Sequence, residues 1–395
     1  MYDGRFSVQF HAEKSSLVYT AFYSQEQNCA EAAAKTSEER SKTADMVNNT
    51  AGQVVTCKAA VAWGPGQPLV MEEILVDPPQ KMEVRIKVLF TSICHTDLSA
   101  WKGENHSQRA YPRILGHEAS GIVESVGEGV TDLKEGDHVI PIFNGECGEC
   151  EYCRCERTNM CRDYGVKPMK KAMVADGGCR FRTKETGEPI FHFLNTSTFS
   201  EFTVIESACV VKVDPDFPLK KMAMLSCSVS TGVGAAWNTA DVKAGSTVAI
   251  FGLGSVGLAV AAGARARGAS KIIGVDINPA KFVKAQALGI SDCINPKELD
   301  TASHEGWGLT VLLGVHPGPK MLPLHPMELF NGQQITGSVF GGFKGKTHIP
   351  RFAEDCMRGA VNLEEFISHE LPFEKINEAF QLLQGGESLR CLMHL

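Results

Sequence analysis

The clearest chemical signature in the chain is a set of four closely spaced cysteines, Cys147-x2-Cys150-x2-Cys153-x7-Cys161. Four thiolates on one short loop can surround a Zn²⁺ ion tetrahedrally, at Zn–S distances of about 2.3 Å, and leave no position for water or substrate. The spacing therefore predicts a structural zinc site. Free surface thiols or an iron–sulfur cluster are the alternatives. Cys155 lies inside the loop but outside the spacing.

A second motif, Gly252-x-Gly254-x-x-Gly257, follows the apolar run TVAIF and opens a helical pattern. In this context the first glycine permits a tight turn, the second lets a pyrophosphate approach the backbone, and the third allows close packing of helix on strand. Asp276 ends the next predicted strand, where it can bind the ribose hydroxyls of a dinucleotide and repel a 2′-phosphate. The motif favours NAD over NADP. The alternative is a glycine-rich turn with a solvated aspartate.

A third set of metal-binding residue types is scattered along the chain. Two thiolates and one imidazole can hold a zinc ion and leave a fourth position open to water or substrate. Cys94, His117 and Cys227 are such a set. Isolated cysteines and histidines more often fill a protein core, so spacing alone does not decide between a metal site and core packing.

The elements that must position these residues change character along the chain. From Val54 to about Ser226, short β-rich runs such as EVRIKVLF, ASGIVESVG and DHVIPIF alternate with turn residues, which predicts an irregular β-barrel domain. From Ser246, the strand-like TVAIFGLG, KIIGVDI and DCINP alternate with the helical SVGLAVAAGARARG and PAKFVKAQALG, which predicts βαβ units and a parallel sheet. GLTVLLGV and QQITGSVF are predicted as further strands, and INEAFQLLQGG as a helix that glycine ends.

Residues 1–52 are predicted to be a disordered extension, because few large apolar residues recur from Ser24 to Ala51. Met46 is a plausible alternative first residue, since the structured pattern starts just after it. The remaining composition, 43% hydrophobic with 38 glycines over 395 residues, indicates a globular protein of two or more domains.

Charge and cysteine usage exclude several classes of partner. The 39 Lys and Arg residues against 46 Asp and Glu give a net charge of −7, so we expect no nucleic acid partner. The longest apolar stretch, residues 248–264, is interrupted by glycines and is shorter than the roughly 20 residues of a membrane span, so we expect no membrane partner. The clustered cysteines and the absence of a secretory pattern predict a reducing, cytoplasmic location.

Several of these motifs together carry a family resemblance. GHEASGIVESVGEGVTDLKEGDHVIP, the four-cysteine loop, TSTFSEFTV and FGLGSVGLA resemble the zinc-containing medium-chain alcohol dehydrogenases, most closely their plant alcohol dehydrogenase-like branch, from about Val54 to Leu395 with one gap. The resemblance implies an α/β chain: a GroES-like irregular β-barrel catalytic domain (residues 53–228 and 340–395) plus a Rossmann-type doubly wound parallel sheet that binds NAD (residues 229–339). It also implies a homodimer with two Zn²⁺ ions per chain, one catalytic and one structural.

The resemblance assigns a role to individual residues. Around the catalytic zinc it implies three ligands, Cys94, His117 and Cys227, and a conditional fourth ligand, Glu118. It implies that the carboxylate of Asp97 orients these ligands and that the hydroxyl of Thr96 passes the alcohol proton outward. Cys147, Cys150, Cys153 and Cys161 match the structural zinc ligands. It also implies that His95 and Arg390 contact the pyrophosphate and that Asp276 and Lys281 contact the adenosine ribose. Phe143 and Phe193 match the walls of the substrate pocket.

The function that the resemblance implies is hydride transfer between a primary or secondary alcohol and NAD, which yields an aldehyde or ketone. A zinc ion acidifies the bound alcohol, and Thr96 carries the proton away. Two alternatives remain: a catalytically impaired, truncated two-zinc isoform that pairs with intact partners through QQITGSVF, and a zinc-dependent lyase of the same family.

The gap in the resemblance falls between DCINP and GLTVLLGV, where KELDTASHEGWG stands in place of a helix, a central strand and a helix. Roughly 35 residues of the family pattern are absent, since a βαβ unit alone needs about 30. The missing strand is the one that pairs with TVAIF on the side away from KIIGVDI. Either GLTVLLGV moves over to pair with TVAIF, or the domain is loose, and we expect weakened NAD binding. Ser99 stands where some relatives carry a histidine that ends the proton relay.

Overall fold

The computed structural model describes residues 50–298, 307–314, 321, 326–330 and 332–395. The predicted extension up to residue 49, with Met46, lies outside the described residues. The chain divides into two compact units, whose described parts are a larger unit (residues 50–227 and 344–395) and a smaller unit (residues 228–343 with the gaps above). No helix in the described part of the chain is long and apolar enough to cross a membrane.

Strands and helices are numbered in chain order over the described residues. The strands are β1 (Val55–Ala62), β2 (Val70–Val76), β3 (Glu83–Ser92), β4 (Arg113–Ile114), β5 (Glu118–Val126), β6 (His138–Pro141), β7 (Phe181–Thr183), β8 (Pro189–Ile190), β9 (Phe202–Glu206), β10 (Val210–Lys212), β11 (Thr247–Phe251), β12 (Lys271–Val275), β13 (Asp292–Ile294), β14 (Gly308–Leu312), β15 (Gln333–Gly337), β16 (His369–Pro372) and β17 (Cys391–His394). The α-helices are α1 (His95–Lys102), α2 (Leu219–Met222), α3 (Ser228–Gly234), α4 (Ser255–Arg265), α5 (Phe282–Ala287), α6 (Pro326–Phe330), α7 (Gly345–Met357) and α8 (Ile376–Gly385).

The larger unit is an irregular β-barrel built from two sheets. One sheet has the order β4-β1-β2-β7-β8, and the other has the order β10-β6-β5-β3-β17-β16, with β9 also paired to β3. Strand β3 is central: it runs antiparallel to β5 along one edge and to β9 and β17 along the other. Its β-rich sequence EVRIKVLFTS buries residues on both faces, as a strand at the centre of a core must.

The smaller unit has the Rossmann-type parallel architecture. Strands β11, β12 and β13 form a parallel sheet in that order, and α4 packs closely on α3. The close approach depends on glycine, because a Cβ at Gly232 would overlap the carbonyl oxygen of Val256, and one at Gly263 would lie 2.6 Å from the Cα atom of Val233. Glycine thus brings the two helix backbones together.

The predicted lack of a central strand is confirmed. Strand β11 pairs with β12 on one edge, and no strand of the described residues pairs with its other edge. The alternative in which GLTVLLGV moves over to pair with TVAIF is wrong for the described residues, because β14 forms a separate parallel ladder with β15. In β14 only Val311 is buried, as expected of a strand at a sheet edge, whereas a central parallel strand is covered on both faces.

Candidate metal centres and cofactor loop

The pairing of β3 with β5 brings two distant sequence motifs together. Ser92, the last residue of β3, lies opposite Glu118, the first residue of β5. Cys94 follows β3 as the extended N-cap residue of α1, and His117 immediately precedes β5. Because antiparallel neighbours meet at these ends, Cys94 and His117 lie beside each other although 22 residues separate them in sequence.

The carboxylate of Asp97 holds both residues in place. Its Oδ2 atom accepts a hydrogen bond from the backbone nitrogen of Cys94 at 2.9 Å, and its Oδ1 atom accepts from the backbone nitrogen of Gly116 at 3.1 Å. Oδ1 also lies 2.9 Å from Nδ1 of His117, so we assign the imidazole proton to Nδ1 and leave Nε2 as the metal-binding nitrogen. Asp97 is fully buried. The structure thus gives it the orienting geometry that the resemblance implies.

Cys227 comes to the same place from another part of the chain. It follows the 3₁₀ turn Ala223–Ser226, and the Ser226 hydroxyl anchors this turn on β5 by donating to the carbonyl oxygen of Ala119 at 2.7 Å. The ligand atoms of Cys94, His117, Glu118 and Cys227 all lie within 4.8 Å of one another, and all four residues are buried. We call this set the buried cluster. Its two sulfurs and one imidazole can hold a divalent cation with a position left for another ligand.

The electrostatics of the buried cluster favour a thiolate. The hydrogen bond from Cys227, with the nearby charges of Arg390 and His117, holds the pKa of the Cys94 thiol well below its usual value. The same hydrogen bond and burial raise the pKa of Cys227, so the two sulfurs share one proton. Burial lowers the pKa of His117, but Asp97 and the Cys94 thiolate raise it more, and the net shift is well upward. A zinc ion would stabilise both sulfurs as thiolates and use the neutral imidazole.

Glu118 and Arg390 form a buried ion pair inside the cluster. Arg390 donates from Nε to Oε2 of Glu118 at 2.7 Å and from Nη2 to Oε1 at 2.9 Å, and Nη2 also lies 3.3 Å from Sγ of Cys94. Ser92 donates to the same carboxylate at 2.8 Å. Burial raises the pKa of Glu118, and Arg390 offsets only part of that rise. Sequence reasoning gave the two residues separate roles and missed the pair, since 272 positions separate them.

The arginine reaches the cluster through the sheet. Strand β17 pairs with β3 so that Leu392 lies opposite Ser92, and this register carries Arg390 to the end of β3. Its guanidinium is committed to Glu118, to Cys94 and, through Nη1, to the carbonyl oxygen of Leu389 at 2.7 Å. The predicted contact between Arg390 and a pyrophosphate therefore stays a prediction.

The other residues assigned to the same region lie near the cluster or on its surface. The hydroxyl oxygen of Thr96 lies 3.9 Å from Sγ of Cys94, and its side chain is half-buried. His95 is exposed and Ser99 is half-buried on α1. The Phe143 and Phe193 rings pack nearly edge-on against the His117 ring, with centroid distances of 5.9 Å and 6.1 Å. The structure thus brings both predicted pocket walls to the buried cluster.

The four-cysteine loop passes a geometric test for zinc. A tetrahedral site with Zn–S distances of about 2.3 Å requires sulfurs about 3.8 Å apart. The sulfurs of Cys147 and Cys153 are 3.8 Å apart, and those of Cys150 and Cys161 are 3.9 Å apart. These separations are far longer than the S–S bond of a disulfide. Cys155 lies outside the group, and its sulfur accepts instead from the backbone nitrogen of Arg157.

Hydrogen bonds from backbone N–H groups favour the thiolate form of three of these cysteines. The backbone nitrogens of Cys150, Cys153 and Tyr164 each donate to the sulfur of the cysteine three residues earlier, at 3.4 Å. Burial opposes ionisation of Cys150, but backbone N–H groups and the neighbouring thiols outweigh it and lower its pKa to about 6. The donor set and its spacing fit a zinc ion.

The glycine motif of the smaller unit has the geometry that a dinucleotide pyrophosphate requires. Gly252 has a φ of +91°, and a Cβ on Gly257 would overlap the carbonyl oxygen of Gly252, so both positions need glycine. A Cβ at Gly254 would meet no atom within 4 Å. Helix α4 begins at the next residue, Ser255, which is buried and whose hydroxyl has no hydrogen-bond partner among the described residues. An unpartnered donor at a helix N-terminus fits a phosphate group.

Asp276 lies against this loop at the end of β12. Its Oδ2 atom accepts from the backbone nitrogen of Leu253 at 2.7 Å and from Nζ of Lys281 at 2.8 Å, and Oδ1 accepts from the backbone nitrogen of Asn278 at 2.9 Å. The structure therefore brings Asp276, Lys281 and the glycine motif together. The carboxylate fixes the loop directly, a contact that the sequence pattern did not predict.

Comparisons with known proteins agree with this arrangement. Residues 80–215 match the alcohol dehydrogenase GroES-like domain. Alcohol dehydrogenase-like 4 of Arabidopsis thaliana is 62% identical over 378 aligned positions that cover 88% of this chain and 100% of the relative. Alcohol dehydrogenase 1 of Petunia hybrida is 48% identical, with 88% and 99% covered. The crystal structure of an alcohol dehydrogenase zinc-binding domain protein from Burkholderia ambifaria is 29% identical, has a TM-score of 0.78, and is matched over 87% of this chain and 100% of its own.

A chain that contains a GroES-like β-barrel, a Rossmann-type sheet and two cysteine-containing clusters has the features of a zinc-dependent oxidoreductase class. The chain belongs to the zinc-containing medium-chain alcohol dehydrogenase family, and it is an alcohol dehydrogenase of that family. The alignment with the Arabidopsis relative spans 378 positions, about 30 more than the part of this chain that it covers. This agrees with the shortening predicted from the sequence.

Proposed function

We propose that this alcohol dehydrogenase transfers a hydride from a primary or secondary alcohol to NAD, with the buried cluster as its catalytic zinc site. The observation that carries the proposal is the convergence of the Cys94, His117 and Cys227 ligand atoms within 4.8 Å. Three ligands from separate parts of the chain, two sulfurs and a histidine, form the donor set of a zinc site with an open coordination position. Glu118, held by Arg390 at 2.7 Å, is the conditional fourth ligand.

A zinc ion, when bound, supplies a Lewis acid that lowers the pKa of an alcohol hydroxyl, and NAD supplies the hydride acceptor. The chain's own residues then do three things. Asp97 fixes the tautomer of His117 and the position of the Cys94 backbone, which keeps the ligands in place. Thr96 accepts the hydroxyl proton at Oγ1 and passes it outward from its half-buried position. Phe143 and Phe193 exclude water from the side of the His117 ring.

NAD is proposed as the cofactor because of three features of the smaller unit. Gly254 leaves space beside the backbone, the Ser255 hydroxyl is a donor that no described residue accepts from, and Asp276 lies against the same loop. An aspartate at this position favours a free 2′-hydroxyl over a 2′-phosphate. His95 and Arg390 are proposed pyrophosphate partners, and Lys281 a ribose partner. The parallel strands of the smaller unit form two separate ladders, β11-β12-β13 and β14-β15, and no central strand of the described residues joins them. This removes part of the surface that would support the adenine of NAD, so we propose that NAD binds more weakly than in full-length relatives.

We further propose that the chain holds a second, structural zinc ion at the four-cysteine loop and works as a homodimer in the cytoplasm. The sulfur separations of 3.8 Å and 3.9 Å support the second zinc. No described cysteine is paired in a disulfide, which supports a reducing compartment. The dimer is proposed to form through QQITGSVF, because β15 has a ladder partner on one edge only among the described residues.

The test is NADH formation by zinc-loaded protein with ethanol and with longer primary and secondary alcohols, at neutral to mildly alkaline pH. We expect NADH to form, the rate to fall when a chelator removes zinc, and the rate to return when zinc is restored. A His117→Ala variant should be inactive, because it removes one ligand of the buried cluster. Protein that holds two zinc ions and forms no NADH with any alcohol would contradict the proposal and favour the impaired isoform or the lyase.

A further inference from the structure

The segment between β8 and β9 has an unusual backbone. Leu194, Asn195 and Ser197 have φ values of +46°, +60° and +52°, and they are three of the six non-glycine residues with positive φ in the described chain. Residues other than glycine adopt this region rarely, and asparagine does so most easily. Such conformations persist only where the surroundings enforce them, and they concentrate at functional sites. The segment directly follows Phe193, one of the two phenylalanines beside His117.

The side chain of Asn195 ties this segment to the chain around the other phenylalanine. Its Nδ2 atom donates to the carbonyl oxygen of Phe143 at 3.1 Å and lies 3.4 Å from that of Tyr164. Its Oδ1 atom accepts from Nζ of Lys170 at 2.8 Å. Asn195 is 7% exposed, so both ends of the amide are held in a buried site. Bonds in such a site are costly to lose, and they keep the two segments in register.

Thr196 and Ser197 of this segment also form hydrogen bonds with the backbone of Phe193. The backbone nitrogens of Thr196 and Ser197 donate to the carbonyl oxygen of Phe193 at 2.9 Å and 3.2 Å, and the Ser197 hydroxyl accepts from the backbone nitrogen of Phe193 at 2.7 Å. The backbone of Phe193 is therefore fixed by the residues that follow it. The Asn195 amide then connects this fixed segment to the backbone of Phe143. Both rings pack on His117, so the connection bears on the space next to the buried cluster.

We propose that Asn195 is a positioning residue that sets the distance between the Phe143 and Phe193 rings and thereby determines which alcohols the site admits. The inference rests on the proposed function, in which these two rings are the pocket walls. The hydrogen bond from Asn195 to the carbonyl oxygen of Phe143 ties the backbone of one wall to the segment that follows the other, and we expect the site to favour unbranched primary alcohols over branched ones. Discrimination of this kind in an apolar pocket amounts to about 10- to 200-fold for one carbon.

Two substitutions distinguish the effect of the Asn195 side-chain hydrogen bond from the effect of the backbone conformation at that position. Asn195→Asp keeps the shape and the contact with Lys170 but turns an oxygen toward the carbonyl of Phe143, which abolishes the bond. Asn195→Gly keeps the positive φ without strain and removes the side chain. For both variants we expect the ratio of kcat/KM for a branched over an unbranched primary alcohol to rise about tenfold, mainly through KM, with the zinc content unchanged.

A crystal structure of each variant gives a readout that does not depend on activity. We expect the Phe143 and Phe193 rings to separate, so that the centroid distance of at least one ring to His117 grows. Unchanged ring positions in both variants, or wild-type alcohol selectivity in Asn195→Gly, would overturn the inference. If the parent chain oxidises no alcohol, the proposed function fails, while the ring positions still decide whether Asn195 holds the two walls.

Discussion

Replacing Asp97 with asparagine tests how much the buried cluster depends on one carboxylate. Asp97 accepts from three donors, the backbone nitrogens of Cys94 and Gly116 and Nδ1 of His117, at 2.9 Å, 3.1 Å and 2.9 Å. Asparagine has one acceptor oxygen and one NH₂ group. Either oxygen position can be kept, but the other then presents a donor to a donor inside a fully buried site.

The cost can be worked from these contacts. If the oxygen stays at Oδ1, the Cys94 backbone nitrogen loses its acceptor, and if it stays at Oδ2, His117 and Gly116 lose theirs. Loss of such a supporting contact lowers metal affinity by about 10- to 100-fold, which corresponds to about 1.4 to 2.7 kcal/mol. We therefore expect Asp97→Asn to weaken zinc binding at the buried cluster by that factor and to leave the four-cysteine loop unaffected.

The assay is competition for zinc against a chromophoric chelator. The parent protein should release two zinc ions per chain only at high chelator concentration, whereas Asp97→Asn should release one of them at a concentration 10- to 100-fold lower. Asp137→Asn is the matched control, because Asp137 is a buried carboxylate that accepts from the Lys134 backbone nitrogen and pairs with Lys212, outside both clusters. It should lower stability without changing zinc release. Equal zinc affinity in the parent and in Asp97→Asn would refute the reasoning.

Three further predictions follow from other parts of the chain. Calorimetric titration should give an NAD dissociation constant at least tenfold above that of a relative that has the central strand, because no strand of the described residues pairs with the second edge of β11; equal constants would contradict this. Burial and the charges of Lys170 and Arg180 lower the pKa of His192 to about 3, and its Nε2 accepts from the Arg180 backbone nitrogen at 3.0 Å. Below about pH 6.5 the unfolded state therefore binds one more proton at His192 than the folded state does, so this group lowers stability by about 1.4 kcal/mol per pH unit down to about pH 3. His192→Gln should lack this contribution, and a dependence of stability on pH equal to that of the parent chain would contradict the prediction. The resemblance predicts that Ser99 stands where some relatives carry a relay histidine, so the turnover number should fall only weakly below neutral pH, whereas Ser99→His should add a group with a pKa near 6.5; such a group in the profile of the parent chain would count against this.

The parts of the fold that sequence predicts best are those set by local spacing. The four cysteines lie within 15 residues, so their spacing alone predicts a metal site, and the sulfur separations in the structure fit a zinc ion. The alternation of strands and helices from Ser246 predicts the parallel sheet for the same reason. The shortened connection after β13 predicts a missing strand, because too few residues remain to build one.

Contacts that depend on strand register are beyond local patterns. The three proposed zinc ligands, Cys94, His117 and Cys227, lie on separate elements, and only the family resemblance selected them. The ion pair between Glu118 and Arg390 depends on two pairings, β3 with β5 and β17 with β3. Likewise, nothing near Asn195 in sequence indicates that its amide reaches the carbonyl oxygen of Phe143, 52 positions earlier. A one-residue change of register in either strand pairing would remove the ion pair between Glu118 and Arg390.

The most direct test of the proposed function is to follow the transferred hydride with a deuterium label. Zinc-loaded protein, NAD and ethanol deuterated at C1 should give NADH with one deuterium at C4 of the nicotinamide, and His117→Ala should give none. Protein that holds both zinc ions and yields no labelled NADH from any primary or secondary alcohol would contradict the proposed hydride transfer. Transfer of deuterium by His117→Ala as fast as by the parent chain would contradict it equally.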